Sequence, residues 1–320
     1  MRHLKIVLAA ATLLVAAPAI AGSYIALGDS ITFGETDLLY RQSYGNRGYV
    51  DDFAAYLAGR NGGVTPTVIN LAIDGETTRS FTSNAGRLPP VEGRNDAVLQ
   101  LENRNYVTSP LSQSQLFASA VTSQAAIGDA VSTITVTLGF NDLAALANLP
   151  TAEALAAAPA TLATYSTQYA GILADIRARA PSADLYLLGY YNPFPADPGS
   201  PAAPVFNQYG MQLNGIVQEL AGLYGARYVD VAPAFVGREA ELTYLDDQPH
   251  GFFRNGPQPG AEPIGNVHPN EAGYAVIAQR IETTAAVPEP ALWAMMLVGF
   301  GLVGCMMRRR PAAMMVRDHL

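Results

Sequence analysis

The fold of this 320-residue chain is decided by residues 23–30, SYIALGDS, in which an apolar run ends in a Gly-Asp-Ser turn. A run of this kind predicts a buried strand followed by a tight turn. Four later stretches also have strand character: 67–71, 132–138, 184–190 and 227–231. Stretches of helical character lie between and after them: 48–57, 115–127, 151–180, 206–224 and 270–281. Strands that alternate with helices predict an α/β fold with a parallel sheet covered on both faces.

Two long stretches of the chain show no hydrophobic period. Residues 83–112 are rich in Gly, Pro and Asn, and residues 236–266 are crowded with Gly, Pro and acidic side chains. Both are predicted to be surface loops. Because binding residues are often carried on loops held by a rigid scaffold, we expect these two to set substrate specificity.

Both ends of the chain have the composition of targeting segments. Residues 1–21 begin with Arg2 and Lys5, continue through an apolar run and end in Ala-Ile-Ala, which is typical of a secretory signal peptide. The alternative is a buried N-terminal strand or helix. Residues 291–307 form a second apolar run, closed by three arginines, and predict a marginal membrane helix whose basic flank stays in the cytoplasm. The alternative there is a helix of the core.

Between these ends, residues 22–286 have the length and apolar content of one domain. Cys305, the only cysteine, lies in the C-terminal segment, so no disulfide is predicted in this domain. Removal of both ends takes away six cations and two acids and moves the formal charge from −8 to −12. An acidic surface argues against nucleic acid or anionic membrane as the main partner.

Four short motifs carry residues that could do chemistry. Ser30 ends the GDS turn, Gly75 lies in NLAIDGETT and Asn141 lies in LGFND, each just after a predicted strand. His268 begins HPNEAGY, directly before the last predicted helix. Because ligands bind at the carboxyl ends of parallel strands, we expect these residues to lie at one edge of the sheet.

A serine in a tight turn is by itself more often a turn residue than a nucleophile. Its hydroxyl becomes a good nucleophile only when a base removes the proton. The domain has two histidines, His250 and His268, so the choice of base is narrow. His250 lies in an irregular acidic stretch and is predicted to be a surface-loop residue.

No cofactor or metal is predicted. The domain has no cysteine pair and too few histidines for a usual zinc site. It also has neither a phosphate-cradling loop nor a dinucleotide fingerprint.

Together, the four motifs resemble the SGNH hydrolase family, also called GDSL esterases and lipases, over residues 22–283. The resemblance implies a flavodoxin-like three-layer α/β/α sandwich with a five-stranded parallel sheet. It implies that Ser30 is the nucleophile and His268 the general base. It further implies an oxyanion hole made by the Ser30 N–H, the Gly75 N–H and the Asn141 side chain.

One position departs from the family pattern. The family usually has an aspartate three residues before the histidine, and this chain has Gly265 there. The group that orients His268 is therefore left open. The candidates are a backbone carbonyl of residues 264–267, which would give a Ser30–His268 dyad, and three acidic side chains: Glu262, Asp246 and Asp247.

The C-terminal segment resembles a second known pattern, the PEP-CTERM sorting signal. Residues 287–290, VPEP, precede the apolar run and the arginine cluster, so the signal would span 287–310 and leave 311–320 as a short cytoplasmic tail. The resemblance implies a transient inner-membrane anchor through the C-terminal helix. It also implies processing by an exosortase-type protease and release to the cell surface or exopolysaccharide.

These observations predict an exported serine ester hydrolase that acts through an acyl-enzyme on Ser30. The expected substrate is an O-acylated polysaccharide, a lipid ester or a small ester. Fold alone does not fix function, and the missing aspartate motivates an alternative: a non-catalytic glycan-binding matrix protein on the same scaffold.

Overall fold

A five-stranded parallel sheet forms the centre of the domain. The computed structural model describes residues 22–34, 48–83, 111–245 and 266–286. The strands are β1 (Ser23–Gly28), β2 (Val68–Asn70), β3 (Val131–Thr137), β4 (Asp184–Leu188) and β5 (Arg227–Val229). They are all parallel and lie in the order β2-β1-β3-β4-β5. This is the flavodoxin-like order, and the predicted fold class is confirmed.

Five long helices cover the sheet: α2 (Tyr49–Arg60), α4 (Gln113–Ala126), α6 (Thr151–Arg179), α7 (Ala203–Leu223) and α10 (Glu271–Ala286). The β1–β2 connection runs in one direction along the sheet and the later connections run in the other. Right-handed crossovers therefore place α2 on one face and α4, α6 and α7 on the opposite face. Packing agrees, since α2 contacts α10 while α6 contacts both α4 and α7.

The short helices occur mainly where the chain leaves a strand or turns. They are α1 (Ser30–Phe33), α3 (Thr78–Ser83), α5 (Phe140–Ala144), α8 (Ala232–Phe235) and α9 (Glu239–Leu242), with a 3₁₀ turn at Ala145–Asn148. Because α1 and α5 start directly after β1 and β3, both begin at the carboxyl edge of the sheet.

A chain of buried hydroxyl groups joins the sheet to the elements around β1. The Tyr49 hydroxyl lies 2.8 Å from Thr32 Oγ1 and 3.1 Å from Thr135 Oγ1. Thr32 Oγ1 lies 2.7 Å from Thr137 Oγ1. All four side chains are buried, so these bonds satisfy groups that would otherwise be costly to bury. They tie α1 and α2 to β3.

Residues 236–266 were predicted to lack regular structure, and for the described part this is wrong. Helix α9 is followed by β6 (Thr243–Tyr244), which pairs antiparallel with β7 (Asn266–Pro269). A strand of two residues is too short to show a period of two, so the sequence carries no signal for it. Helix α3 ends at Ser83, the first residue of the predicted 83–112 loop, and residues 84–110 of that loop lie outside the described residues.

The two targeting segments, 1–21 and 287–320, also lie outside the described residues. In the ranges that the structure does describe, no helix is both long and apolar enough to cross a bilayer.

Candidate active site

Ser30 lies at the carboxyl end of β1, in the turn that opens α1. Gly28 has a φ of +133°, and a Cβ at this position would lie 2.3 Å from the Thr137 carbonyl oxygen, so a side chain cannot be accommodated there. Asp29 caps α1 by accepting a hydrogen bond from the Ile31 N–H at 3.1 Å. The turn thus holds Ser30 at the first position of the helix, with 7% of its surface exposed.

His268 reaches this serine from the other end of the chain. Its Nε2 lies 2.8 Å from Ser30 Oγ, although the two residues are 238 positions apart. The β7 strand that carries His268 is held on both sides. The Tyr191 hydroxyl donates to the Val267 carbonyl at 2.6 Å, and the Asn270 N–H donates to the Leu242 carbonyl at 3.0 Å.

Gly75 is brought to the same edge by the chain that follows β2. The N–H groups of Leu71 and Ile73 donate to the carbonyls of Ala26 and Gly28, so this segment continues along β1 beyond the sheet ladder. Gly75 then turns the chain with a φ of +69°, in the left-handed region that favours glycine.

Asn141 connects its own motif, LGFND, to the glycine motif, NLAIDGETT. It lies in α5 after β3, is 8% exposed, and its Nδ2 donates to the Glu76 carbonyl at 3.0 Å. The structure therefore joins the serine motif to the histidine motif and the glycine motif to the asparagine motif by direct hydrogen bonds.

Residues 26–276 match the sequence profile of the GDSL-like lipase/acylhydrolase family. The chain belongs to this family. Residues 286–310 of this GDSL-like hydrolase match the PEP-CTERM protein-sorting motif, so that second resemblance is confirmed. No curated protein was found that matches the chain.

Solved structures show the same fold at low sequence identity. Phospholipase A1 from Streptomyces albidoflavus is 20% identical, with a TM-score of 0.50 over 83% of this chain and 100% of its own. The lipase Lip_vut3 from a goat rumen metagenome is 19% identical, with a TM-score of 0.53 over 82% and 96%. An extracellular lipase from Streptomyces rimosus is 20% identical, with a TM-score of 0.50 over 83% and 100%. At this identity the likeness shows the fold.

Near the motifs of the GDSL-like hydrolase, the carboxyl group of Asp29 is buried and that of Asp142 is partly buried. Desolvation raises the pKa of Asp29 to about 7, against hydrogen bonds from Tyr190, Thr137 and Ile31 that lower it. Desolvation likewise raises the pKa of Asp142 to about 6, against hydrogen bonds from Thr78. The sequence motifs contained both aspartates but gave no sign of their burial.

A buried polar cluster lies beside the glycine motif and was not predicted from the sequence. Glu76 and Gln113 are both 0% exposed, and the Gln113 amide lies between the Glu76 carboxylate and the Gly28 backbone. Part of the signal was available, because Ser112 and Gln115 form a capping box that places the start of α4 at Gln113. That Gln113 points inward is decided only by the packing of α4.

The three acidic candidates for orienting His268 are Glu262, Asp246 and Asp247, and all three lie outside the described residues. His250 also lies outside them. Of the carbonyls of residues 264–267, the one at Val267 accepts the Tyr191 hydroxyl and has a second lone pair. Among the residues that the structure does describe, no group of three His, Cys, Asp or Glu side chains could hold a metal ion.

Proposed function

We propose that this protein is an exported ester hydrolase in which Ser30 forms an acyl-enzyme and His268 acts as general base. Family membership supports ester hydrolysis. The observation that carries the mechanism is the 2.8 Å distance between Ser30 Oγ and His268 Nε2. This distance is within the range over which a base can take the proton of the group it activates.

In the proposed first step, His268 Nε2 takes the hydroxyl proton while Ser30 Oγ attacks the ester carbonyl. The tetrahedral intermediate collapses, and the alcohol leaves with the proton that the imidazolium returns. Water, activated by the same imidazole, then attacks the acyl group on Ser30 and releases the carboxylic acid. The one base therefore serves both half-reactions.

Three hydrogen-bond donors are proposed to stabilise the oxyanion: the Ser30 N–H, the Gly75 N–H and the Asn141 amide. Among the described residues, no acceptor is bonded to the Ser30 or Gly75 N–H. The Asn141 amide group has two hydrogens, and the bond to the Glu76 carbonyl uses one of them. The second hydrogen is the donor proposed for the oxyanion, and the first holds the side chain in place for it.

The orienting partner of His268 is proposed to be a backbone carbonyl, which makes the catalytic pair a Ser30–His268 dyad. The glycine at position 265 of the sequence supports this, because a glycine can adopt backbone conformations that point a neighbouring carbonyl toward the imidazole. The alternative is that one of the three acidic residues named above orients His268.

The sorting motif indicates export and processing at the membrane. We include in the proposal the signal peptide at 1–21, anchoring through 291–307 and cleavage by an exosortase-type protease. Delivery to the cell surface favours an O-acylated polysaccharide as substrate, with lipid esters next. The S. albidoflavus protein of the same fold is a phospholipase A1, which keeps a lipid ester among the substrates to be tested.

The test uses the purified protein with p-nitrophenyl esters of graded chain length and a fluorophosphonate probe. Wild type should hydrolyse at least one ester and be labelled at Ser30, and Ser30→Ala should lose both properties. Ser132→Ala is the matched control, because Ser132 lies at the other end of the sheet, where its hydroxyl bonds the Ser23 carbonyl. A wild type that is folded but neither labelled nor active would favour the non-catalytic glycan-binding alternative.

A further inference from the structure

One buried side chain spans the gap between the serine turn and the glycine motif. Gln113 is the first residue of α4 and is fully buried. Its Oε1 accepts the Gly28 N–H at 2.6 Å, and its Nε2 donates to the Gly28 carbonyl at 2.9 Å and to Glu76 Oε2 at 2.9 Å. The Gln113 amide thus bonds both the N–H and the carbonyl of Gly28, as the backbone of a neighbouring strand would. It also donates to the Glu76 carboxylate.

Glu76 extends this connection to the rest of the site. Its second carboxylate oxygen accepts the Ser80 hydroxyl, and its backbone carbonyl accepts the Asn141 amide at 3.0 Å. It directly follows Gly75 in the chain. A single path of hydrogen bonds therefore runs from Gly28, two residues before Ser30, through Gln113 and Glu76 to the residues proposed to bind the oxyanion.

The three hydrogen bonds of Gln113 require an amide on a side chain as long as that of glutamine. The three bonds of Gln113 use one acceptor and both hydrogens of its amide nitrogen, and a glutamate or methionine cannot supply that set. Asparagine has the same groups but is one methylene shorter, so it cannot reach both Gly28 and Glu76 from the same backbone position. Each bond is also buried, so a lost partner leaves an unsatisfied polar group behind.

We infer that Gln113 is a positioning residue that sets the spacing between the nucleophile and the oxyanion donors. The inference rests on the proposed function, because it gives Gln113 a role only through Ser30, Gly75 and Asn141. A displacement of about 1 Å between reacting groups can cost on the order of 10²-fold in rate. The loss should appear in kcat, with KM little changed, because it affects groups that act mainly on the transition state.

A purely structural role for Gln113 is the competing explanation, and the chain offers a matched control for it. Gln124 lies on the same helix and accepts the Ser23 hydroxyl at 3.0 Å, at the opposite end of the same strand. Loss of either glutamine removes a contact between α4 and β1. Only the loss at residue 113 should alter catalysis if the inference is right.

The experiment compares Gln113→Met with Gln124→Met in the full-length protein, with a p-nitrophenyl ester that the wild type hydrolyses. Gln113→Met should lower kcat on the order of 10²-fold with KM within about threefold, whereas Gln124→Met should leave both within about twofold. The double variant Gln113→Met/Asn141→Ala then tests whether Gln113 acts through the oxyanion donors. Because both changes impair the same oxyanion site, Gln113→Met should cost much less in the Asn141→Ala background than in wild type.

Gln113→Asn provides a second test if the methionine variant does not fold, since it keeps the amide and should lose an intermediate amount of kcat. The inference is overturned if folded Gln113→Met or Gln113→Asn matches Gln124→Met in kcat. It is also overturned if the effects of the Gln113 and Asn141 changes simply multiply. Failure of the proposed function is distinct, because in that case wild type itself would show neither turnover nor labelling of Ser30.

Discussion

Replacing Asn141 by alanine separates the catalytic contribution of its amide from the structural one. In the structure the Asn141 side chain is buried, and its amide donates one hydrogen bond to the Glu76 carbonyl at 3.0 Å. Loss of that ordinary buried bond should lower the free energy of unfolding by about 1 kcal/mol. Loss of a donor to the oxyanion should lower kcat by about 10²–10³-fold, equivalent to about 3–4 kcal/mol of transition-state stabilisation.

The two effects are measured separately. Steady-state hydrolysis of a p-nitrophenyl ester gives kcat and KM, and urea unfolding gives the stability of the same preparation. Asn214→Ala is the control, because the Asn214 amide bonds the N–H and carbonyl of Tyr190, both at 2.8 Å, from helix α7. It should lose at least as much stability as Asn141→Ala and keep kcat within a few fold.

A rise in KM with kcat intact would contradict the proposed role and make Asn141 a residue that binds substrate in the ground state. A loss of kcat in both asparagine variants, in proportion to their loss of stability, would also contradict it. In that case the effect of Asn141 would be structural.

Three further predictions concern groups elsewhere in the chain. The raised pKa of Asp29, about 7 against an ordinary 3.8, means that the folded protein holds this proton more tightly than the unfolded chain. The contribution of Asp29 to the free energy of unfolding should therefore fall by up to about 4 kcal/mol as pH rises from 4 to 8. In urea unfolding, the stability of Asp29→Asn should depend less steeply on pH than that of the wild type. If the dyad is right, removal of any one acidic candidate should leave most of the activity, whereas loss of a true triad carboxylate can cost about 10⁴-fold in kcat. The substitutions to assay are Glu262→Gln, Asp246→Asn and Asp247→Asn. Deletion of 287–320 in the native host should abolish sedimentation with membranes and stop the appearance of a shorter external form; unchanged localisation on fractionation would contradict the sorting proposal.

Strand β1 and the turn that follows it show how much of the structure could be predicted from the sequence. The apolar run, the glycine at position 28 and the aspartate that caps α1 are all local signals, so the strand, the turn and the position of Ser30 follow from them. The other four strands were found for the same reason. Short runs of apolar, β-branched and aromatic residues favour a strand whatever its place in the sheet.

The grouping of the motifs at one edge was also predictable, because parallel strands share the direction of their carboxyl ends. Only the tertiary structure shows that His268 Nε2 meets Ser30 Oγ at 2.8 Å. That contact depends on the β6–β7 pairing and on the Tyr191 hydroxyl bond to Val267, and no periodic pattern in the sequence encodes either.

The sequence alone therefore predicts the five strands of the sheet and the five long helices, the order of the motifs, and the family and sorting signal that the chain matches. The tertiary structure decided the environment of each polar group. Asp29 acquires its raised pKa from complete burial, and Gln113 acquires its three partners from the docking of α4 against β1. Burial and long-range hydrogen bonds arise between residues far apart in the chain, so they exist only once the layers have packed.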